Sequence, residues 1–480
     1  MNKDNNFGRV LILLLTTMLI CAGLYFMPNT LFGFKLKKLD ILSDLRIKTG
    51  LSEIDSLRLQ LEHPESITID TAAMRDSIIK ATGIDSATLA LRDSLYQQMH
   101  SNNNADSIGT HIEDYSVGHI ALKRFFAALS KSQSRPVNVA FMGDSFIEGD
   151  ILVSDFREGL QKKFGGRGVG FVPITAIAAQ FRPTVEARAE GWTTWSILTN
   201  HNHAFTLSGM TFEAKCDKAL MHVKTTRRFP ELQTANSLKL FYEQNAETEL
   251  LFSSNGQKDT LRETLPVVST VTEYERKGNF REVSLVFNKA KGFRALGVAL
   301  EDNTGVSVDN FSLRGNSGIV MARLNMSQCR ALNEVRPYNL IIMQYGLNVV
   351  SDSVYHYGWY EKKMVNVIRQ VKACFPEADI LMLGVSDRSH QVEGKFQTMP
   401  AVLALLNTQR IIARETGIAF WNVFGAMGGE NSMVRFVQNN WASKDYTHMS
   451  FRGGREIANA LLKALLAEKD FYDEADKVAY

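Results

Sequence analysis

Ser145, Asp445 and His448 have the residue types and spacing for attack on an acyl group. Ser145 closes Gly143-Asp144-Ser145, directly after the apolar run Val137-Asn138-Val139-Ala140-Phe141-Met142. A serine hydroxyl is a weak nucleophile until a neighbouring base accepts its proton. The base lies towards the other end of the chain, in Lys444-Asp445-Tyr446-Thr447-His448-Met449-Ser450. An aspartate and a histidine separated by two residues can share one turn, so Asp445 can hold the Nδ1–H of His448 while Nε2 faces the Ser145 hydroxyl. Each piece alone is weak, because Gly-Asp-Ser can be an ordinary turn and Asp-x-x-His the surface start of a helix.

The segments around these residues say how they are positioned. An apolar run ending in Gly-Asp-Ser, then Leu152, Phe156 and Leu160 four apart, predicts strand, tight turn and helix. Ser145 then stands at the carboxyl end of a strand with its N–H at a helix start, where the positive dipole end favours a developing oxyanion. A second apolar run, Leu340-Ile341-Ile342-Met343, leads into Tyr345-Gly346-Leu347-Asn348.

Gly143-Asp144-Ser145, Gly315 in Leu313-Arg314-Gly315-Asn316, Gly346-Leu347-Asn348 and Asp445-x-x-His448 together resemble, in order, the four blocks of the SGNH/GDSL hydrolase superfamily. The resemblance implies Ser145 as nucleophile, His448 as general base and then acid, and Asp445 as the group orienting it. It also implies an oxyanion hole made by the N–H groups of Ser145 and Gly315 and the side-chain amide of Asn348, with no cofactor and no metal. Gly318 competes with Gly315 for its place. Val349 stands where many members carry an acidic residue.

From about 308 onward strands alternate with amphipathic helices: Met364, Ile368, Val371 and Phe375 mark one helix face, and Val402, Leu405, Leu406, Gln409 and Ile412 another. This rhythm predicts an α/β fold with a doubly wound parallel sheet, flavodoxin-like in the resembling family, over 116–183 and 308–480. Between them, 184–307 reads as short strands broken by turns, with Asn255-Gly256 as a hairpin signal, and predicts an inserted β-sandwich. The insertion resembles the carbohydrate-binding-like module of bacterial peptidoglycan O-acetylesterases.

Residues 10–27 are uncharged and apolar, about 27 Å long as a helix, which matches a bilayer core. They read as a retained transmembrane signal anchor behind a short cytoplasmic N-terminus, 1–9. The polar, partly helical stretch 28–115 reads as a stalk, with a small partner-docking domain as the alternative. The resemblance puts the catalytic body on the periplasmic side of an inner membrane. A net charge of +3 over 480 residues, without a basic stripe, gives no argument for nucleic acid.

Several other groups invite a functional reading. Phe164-Gly165-Gly166-Arg167-Gly168-Val169-Gly170 follows a helix instead of a strand, so helix termination explains it better than a phosphate loop. His201-x-His203 has no third ligand in view. Glu148 and Asp150 fit helix capping or the cleft wall; Phe181, Trp192 and Trp195 fit sugar stacking or packing. Cys216, Cys329 and Cys374 form no disulfide pattern and read as buried small hydrophobes.

These features point to a membrane-anchored serine esterase that removes O-acetyl groups from a cell-envelope or extracellular glycan, with peptidoglycan implied by resemblance. The same residues suit an O-acetyltransferase supplied by a membrane-bound O-acyltransferase partner. A glycan-binding scaffold with a vestigial site is the alternative from another class.

Overall fold

The computed structural model describes residues 30–31, 34–35, 86–100, 111–175, 182–244, 246–257 and 259–478. The expected anchor, 10–27, lies outside them, as do 1–9, Phe181 and most of 28–85. Among the described residues no helix is long and apolar enough to cross a membrane.

The central sheet contains β1 (Ile112–Asp114), β2 (Pro136–Gly143), β3 (Gly305–Ser312), β4 (Tyr338–Gln344), β5 (Asp379–Leu383) and β6 (Ala419–Trp421), in the order β3-β2-β4-β5-β6-β1. β2 to β6 pair in parallel, and β1 closes the edge antiparallel to β6. From Val137 to Gly143 every residue of β2 is buried, as a parallel strand covered on both faces requires. The helices include α1 (Ser86–His100), α2 (Lys123–Leu129), α3 (Val153–Phe164), α4 (Met326–Val335), α5 (Gly358–Cys374), α6 (Pro400–Thr416) and α7 (Phe451–Val478); two further short ones, Val423–Ala426 and Ser432–Gln438, lie between α6 and α7. α7 packs on α1, α2 and α3, and α5 packs on α4 and α6.

Counted from the first parallel strand, the order is 2-1-3-4-5, so the chain reverses direction across the sheet between β2 and β4. At such a reversal the loops leave in opposite directions and open a crevice beyond the carboxyl ends of the strands. Ser145 follows β2 and Asn348 follows β4.

The expected stalk ends earlier than 115. α1 docks on α7, where Arg92 is buried, its Nε donating to Gly118 O at 2.9 Å and Nη1 pairing with Asp476 at 3.1 Å. Tyr96 accepts the Asp114 N–H and donates to Ile112 O, fastening α1 to β1. A mostly polar helix hides only part of one face, which is why this docking escapes a reading of hydrophobic periodicity.

Between α3 and β3 the chain builds two antiparallel sheets. One holds Trp192–Ser196, Met210–Ala214, Arg294–Glu301, Ala235–Gln244 and Val268–Phe280; the other holds Val185–Glu190, Lys218–Thr225, Glu282–Asn288, Thr248–Ser254 and Leu261–Leu265. Their facing side chains, among them Leu240, Leu250, Leu285, Phe287 and Phe293, form one buried core. Gly170–Val172 pairs with Arg294–Glu301 and joins the first sheet before the sandwich proper begins. The glycine run is packing, as its position after a helix implied: Gly170 has φ +66, and a Cβ there would meet Asp309 Oδ1 at 2.8 Å.

Two buried charge clusters hold the sandwich to the parallel sheet. Asp150 accepts from Arg157 and Arg182, each at 3.0 Å, from Thr184 Oγ1 at 2.8 Å and from Asn310 Nδ2 at 2.9 Å. Burial alone would raise its pKa, but the two guanidiniums outweigh burial and hold the carboxyl far below the usual range. Arg336 forks onto Glu301, at 2.6 Å to each oxygen, and onto Asp309 at 2.7 and 2.9 Å, while the Tyr338 hydroxyl donates to Asp309 at 2.7 Å. Cys329 and Cys374 are buried as expected, whereas Cys216 is exposed, because it sits on a turn between strands instead of in a core.

Arg336→Met leaves Asp309 without its cation and Glu301 with only Lys239, 3.3 Å away, and removing one partner of a buried ion pair costs about 3–5 kcal/mol. Urea unfolding should show a loss of that order, with much of it recovered when Asp309→Asn is added. A loss unchanged in the double variant would mean that packing, not charge, sets the cost.

Candidate active site

β2 delivers Ser145 into the crevice, where its side chain is 9% exposed. The helix expected immediately after it begins only at Val153. Residues 144–152 instead form a turn and a short 3-10 segment, Glu148–Asp150, with positive φ at Gly149 and Asp150. The buried demands of Asp150 account for this detour, since its carboxylate must reach Arg157, Arg182 and Asn310 before α3 can start. The dipole of α3 therefore does not act at the Ser145 N–H, because that effect fades within one turn.

The turn before α7 meets Ser145. His448 Nε2 lies 3.3 Å from Ser145 Oγ, and Nδ1 lies 2.7 Å from Asp445 Oδ2. Asp445 Oδ1 also accepts the N–H groups of Thr447 and His448, both at 3.0 Å. Burial pushes the Asp445 pKa up, but these N–H groups and the imidazole outweigh it and hold the carboxyl below its ordinary value. With Nδ1–H donated to a carboxylate, Nε2 is the acceptor for the Ser145 hydroxyl proton. Tyr446 adopts φ +54 to close the turn, and its ring stacks on Phe396 at 3.6 Å.

Three loops meet around Ser145. Leu313 N–H donates to Gly143 O at 2.9 Å, Arg314 pairs with Glu148, and Asn348 Nδ2 donates to Asp144 Oδ2 at 3.0 Å and to Asn316 O at 3.2 Å. Gly315 lies at the exposed tip of the second loop, with φ +78 and open space where a side chain would stand. Gly318, the alternative, is buried, and a Cβ there would meet the Tyr345 ring at 2.9 Å, so it serves close packing. Gln409 on α6 fixes the asparagine loop from below, donating to Tyr345 O at 2.8 Å and accepting Val385 N–H at 2.7 Å. It stood on the face of α6 expected to be apolar.

Asp144 is the residue that sequence reasoning named without giving it work. It is fully buried, accepts the Phe146 N–H at 2.9 Å and orients the Asn348 amide. Desolvation pushes its pKa up to about 6, against the lowering pull of Phe146, Asn348 and His448. Arg388 was missed altogether. Its Nη1 reaches the carbonyls of Leu347 and Val350, both at 3.4 Å, and the N–H of the next residue, Ser389, donates to Tyr446 O at 3.1 Å. Together Arg388 and Ser389 bridge the loop of Asn348 and the turn of His448, and no short motif marks them.

Asp150 is a buried structural anchor and Glu148 a partner of Arg314, so neither caps α3 through its side chain. Trp192 is in the sandwich core, and Trp195 stacks on His203 at 4.3 Å. His203 Nδ1 lies 3.0 Å from Asn200 Oδ1, a loop contact.

No family model and no curated protein matches this sequence. Among solved structures, a peptidoglycan O-acetylesterase aligns over 74% of this chain and 98% of its own length, with a TM-score of 0.61 and 21% identity. The two share a fold. This likeness agrees, at the level of fold, with the SGNH resemblance carried by the four sequence blocks. A family two carbohydrate esterase from Cellvibrio japonicus aligns over 60% of this chain and 99% of its own at 9% identity and a TM-score of 0.26. A GDSL-like lipase from Parabacteroides merdae aligns over 34% and 74% at 14% identity and the same score, too low in both cases to establish a shared fold.

A carboxyl whose pKa is higher in the folded than in the unfolded chain contributes stability that is complete below the unfolded value and lost as pH rises through the folded one. For Asp144 that window runs from about 4 to about 6. Wild-type protein should therefore lose stability relative to Asp144→Asn across this window, by ~3 kcal/mol at most. Urea midpoints of both proteins on either side of the window give the difference; parallel curves would mean that Asp144 titrates as it does in water.

Proposed function

We propose that this protein is a serine esterase that removes acetyl groups from an O-acetylated glycan through an acyl-enzyme on Ser145. The observation that carries this reading is the continuous relay from Asp445 through His448 to Ser145, at 2.7 and 3.3 Å, inside the crevice where the sheet reverses. His448 takes the hydroxyl proton as Ser145 attacks the ester carbonyl, then returns it to the leaving sugar oxygen. Water enters by the same base and releases acetate.

The N–H groups of Ser145 and Gly315 and the Asn348 amide are the proposed donors to the oxyanion. In the free protein both amide hydrogens of Asn348 are engaged, so the longer contact, to Asn316 O at 3.2 Å, is the one the substrate oxygen replaces. Asp144 keeps the amide aimed through the exchange. Peptidoglycan is the proposed substrate, supported by the likeness in fold to a peptidoglycan O-acetylesterase. The apolar run 10–27 supports anchoring in a membrane, and the SGNH resemblance supports placing the body on the periplasmic side of the inner membrane.

Ser145→Ala and His448→Ala should abolish acetate release from O-acetylated peptidoglycan while unfolding midpoints stay near wild type. Asn348→Ala should lower kcat by about 10²–10³ with little change in KM, the cost of one oxyanion donor. Undiminished turnover by Ser145→Ala would sink the nucleophile. Acetyl groups appearing on an added chito-oligosaccharide, with little free acetate, would instead make the acyl-enzyme the intermediate of a transferase.

A further inference from the structure

One end of the sandwich carries a cleft of about 440 Å³ that the hydrolytic site does not use. Lys224, Arg227 and Arg281 line it with Thr234, Asn279 and Glu282. Glu282 is already balanced, lying 3.4 Å from Lys224 and 3.5 Å from His222. Arg227 and Arg281 form no ion pair with a carboxylate among the described residues. Arg281 Nε is buried without a hydrogen-bond partner there. A buried donor left unpaired is costly, and a guanidinium fork is shaped for a carboxylate.

Hydrogen bonds from Asn255 tie the frame of the cleft together. Asn255 Oδ1 accepts the N–H groups of Arg281 and Glu282, at 3.0 and 3.2 Å, and its Nδ2 donates to Asn279 O at 2.7 Å. The cleft also adjoins the catalytic body: Arg228, next to Arg227, stacks on Phe451 at 5.1 Å, three residues beyond His448.

We infer that this cleft binds a carboxylate borne by the glycan whose ester lies at Ser145, so that the sandwich selects acidic over neutral saccharides. The inference rests on the esterase reading for its link to Ser145, but the binding itself does not. Two unpaired guanidiniums supply the charge, while the Thr234 hydroxyl and Asn279 amide suit sugar hydroxyls. Glu282 in the same wall disfavours a densely charged polyphosphate, which would bring several anions against it.

The test is calorimetric titration of the full chain carrying Ser145→Ala, using two tetrasaccharides of equal length. One alternates N-acetylglucosamine with N-acetylmuramic acid and so carries lactyl carboxylates; the other is neutral chitotetraose. The acidic probe should bind at least about tenfold tighter, with a preference that falls as salt rises. Arg227→Gln, on an exposed side chain, should reduce the preference, and Arg227→Gln with Arg281→Gln should remove it. Hydrolysis of p-nitrophenyl acetate by the same arginine variants with Ser145 intact should stay within about twofold of wild type. Equal affinities for the two probes, a preference that survives the double variant, or tighter binding of pyrophosphate than of the acidic probe would each overturn the inference. Absence of p-nitrophenyl acetate hydrolysis in wild type would instead count against the esterase reading, without touching the binding result.

Discussion

A buried guanidinium cannot be left alone, and that constraint governs how this chain leaves one domain and returns to it. Arg336 stands between α4 and β4, yet its carboxylate partners are Glu301, at the end of the last sandwich strand, and Asp309, in the parallel strand that follows. The three charges are nearly free of solvent, so each desolvation is compensated only if the strands keep their register. Asp150 does the same on the outgoing side, joining α3 through Arg157 to the entry of the sandwich through Arg182 and Thr184. A long excursion out of the sheet is thereby returned to the strand position beside β2.

The site depends on that return. If β3 did not lie against β2, the Gly315 loop would not reach Gly143 and Glu148, and Asn316 would not present its carbonyl to Asn348. The serine itself is held by few contacts. Its surroundings are fixed instead by cross-ties between loops: Leu313 to Gly143, Asn348 to Asp144, Gln409 to Tyr345, and Arg388 with Ser389 between the asparagine loop and the base turn. Such ties hold the groups in place before substrate arrives, the condition under which dipoles stabilise a developing charge without reorganising.

Much of this was legible from sequence because its causes are local. Asp445 and His448 share a turn, and spacing alone shows it. The apolar runs before Ser145 and Asn348 are strands because residues covered on both faces have no polar alternation. The shift from helical period to short strands marked the sandwich. The helix expected right after Ser145 was misplaced because Asp150 demands partners far away in sequence, and their pull exceeds the preference of the local pattern for an early helix start. α1 and β1 were read as stalk because their docking relies on Arg92 and Tyr96, polar side chains whose value lies in a single buried contact each.

The sequence by itself determined the kind of chemistry on offer, a hydroxyl, an imidazole and a carboxylate in an order and spacing suited to acyl transfer, and the alternation of elements that carries them. Only the tertiary structure decided which polar groups around them are buried, and so which are shifted and which are committed. Asp144 became a buried support for Asn348 with a raised pKa, Gln409 a brace and Arg388 part of a bridge, while Arg281 Nε was left without a partner among the described residues. The reason is physical: periodicity records which face of an element meets water, but desolvation and hydrogen bonding are settled by whatever the rest of the chain brings within about 3 Å.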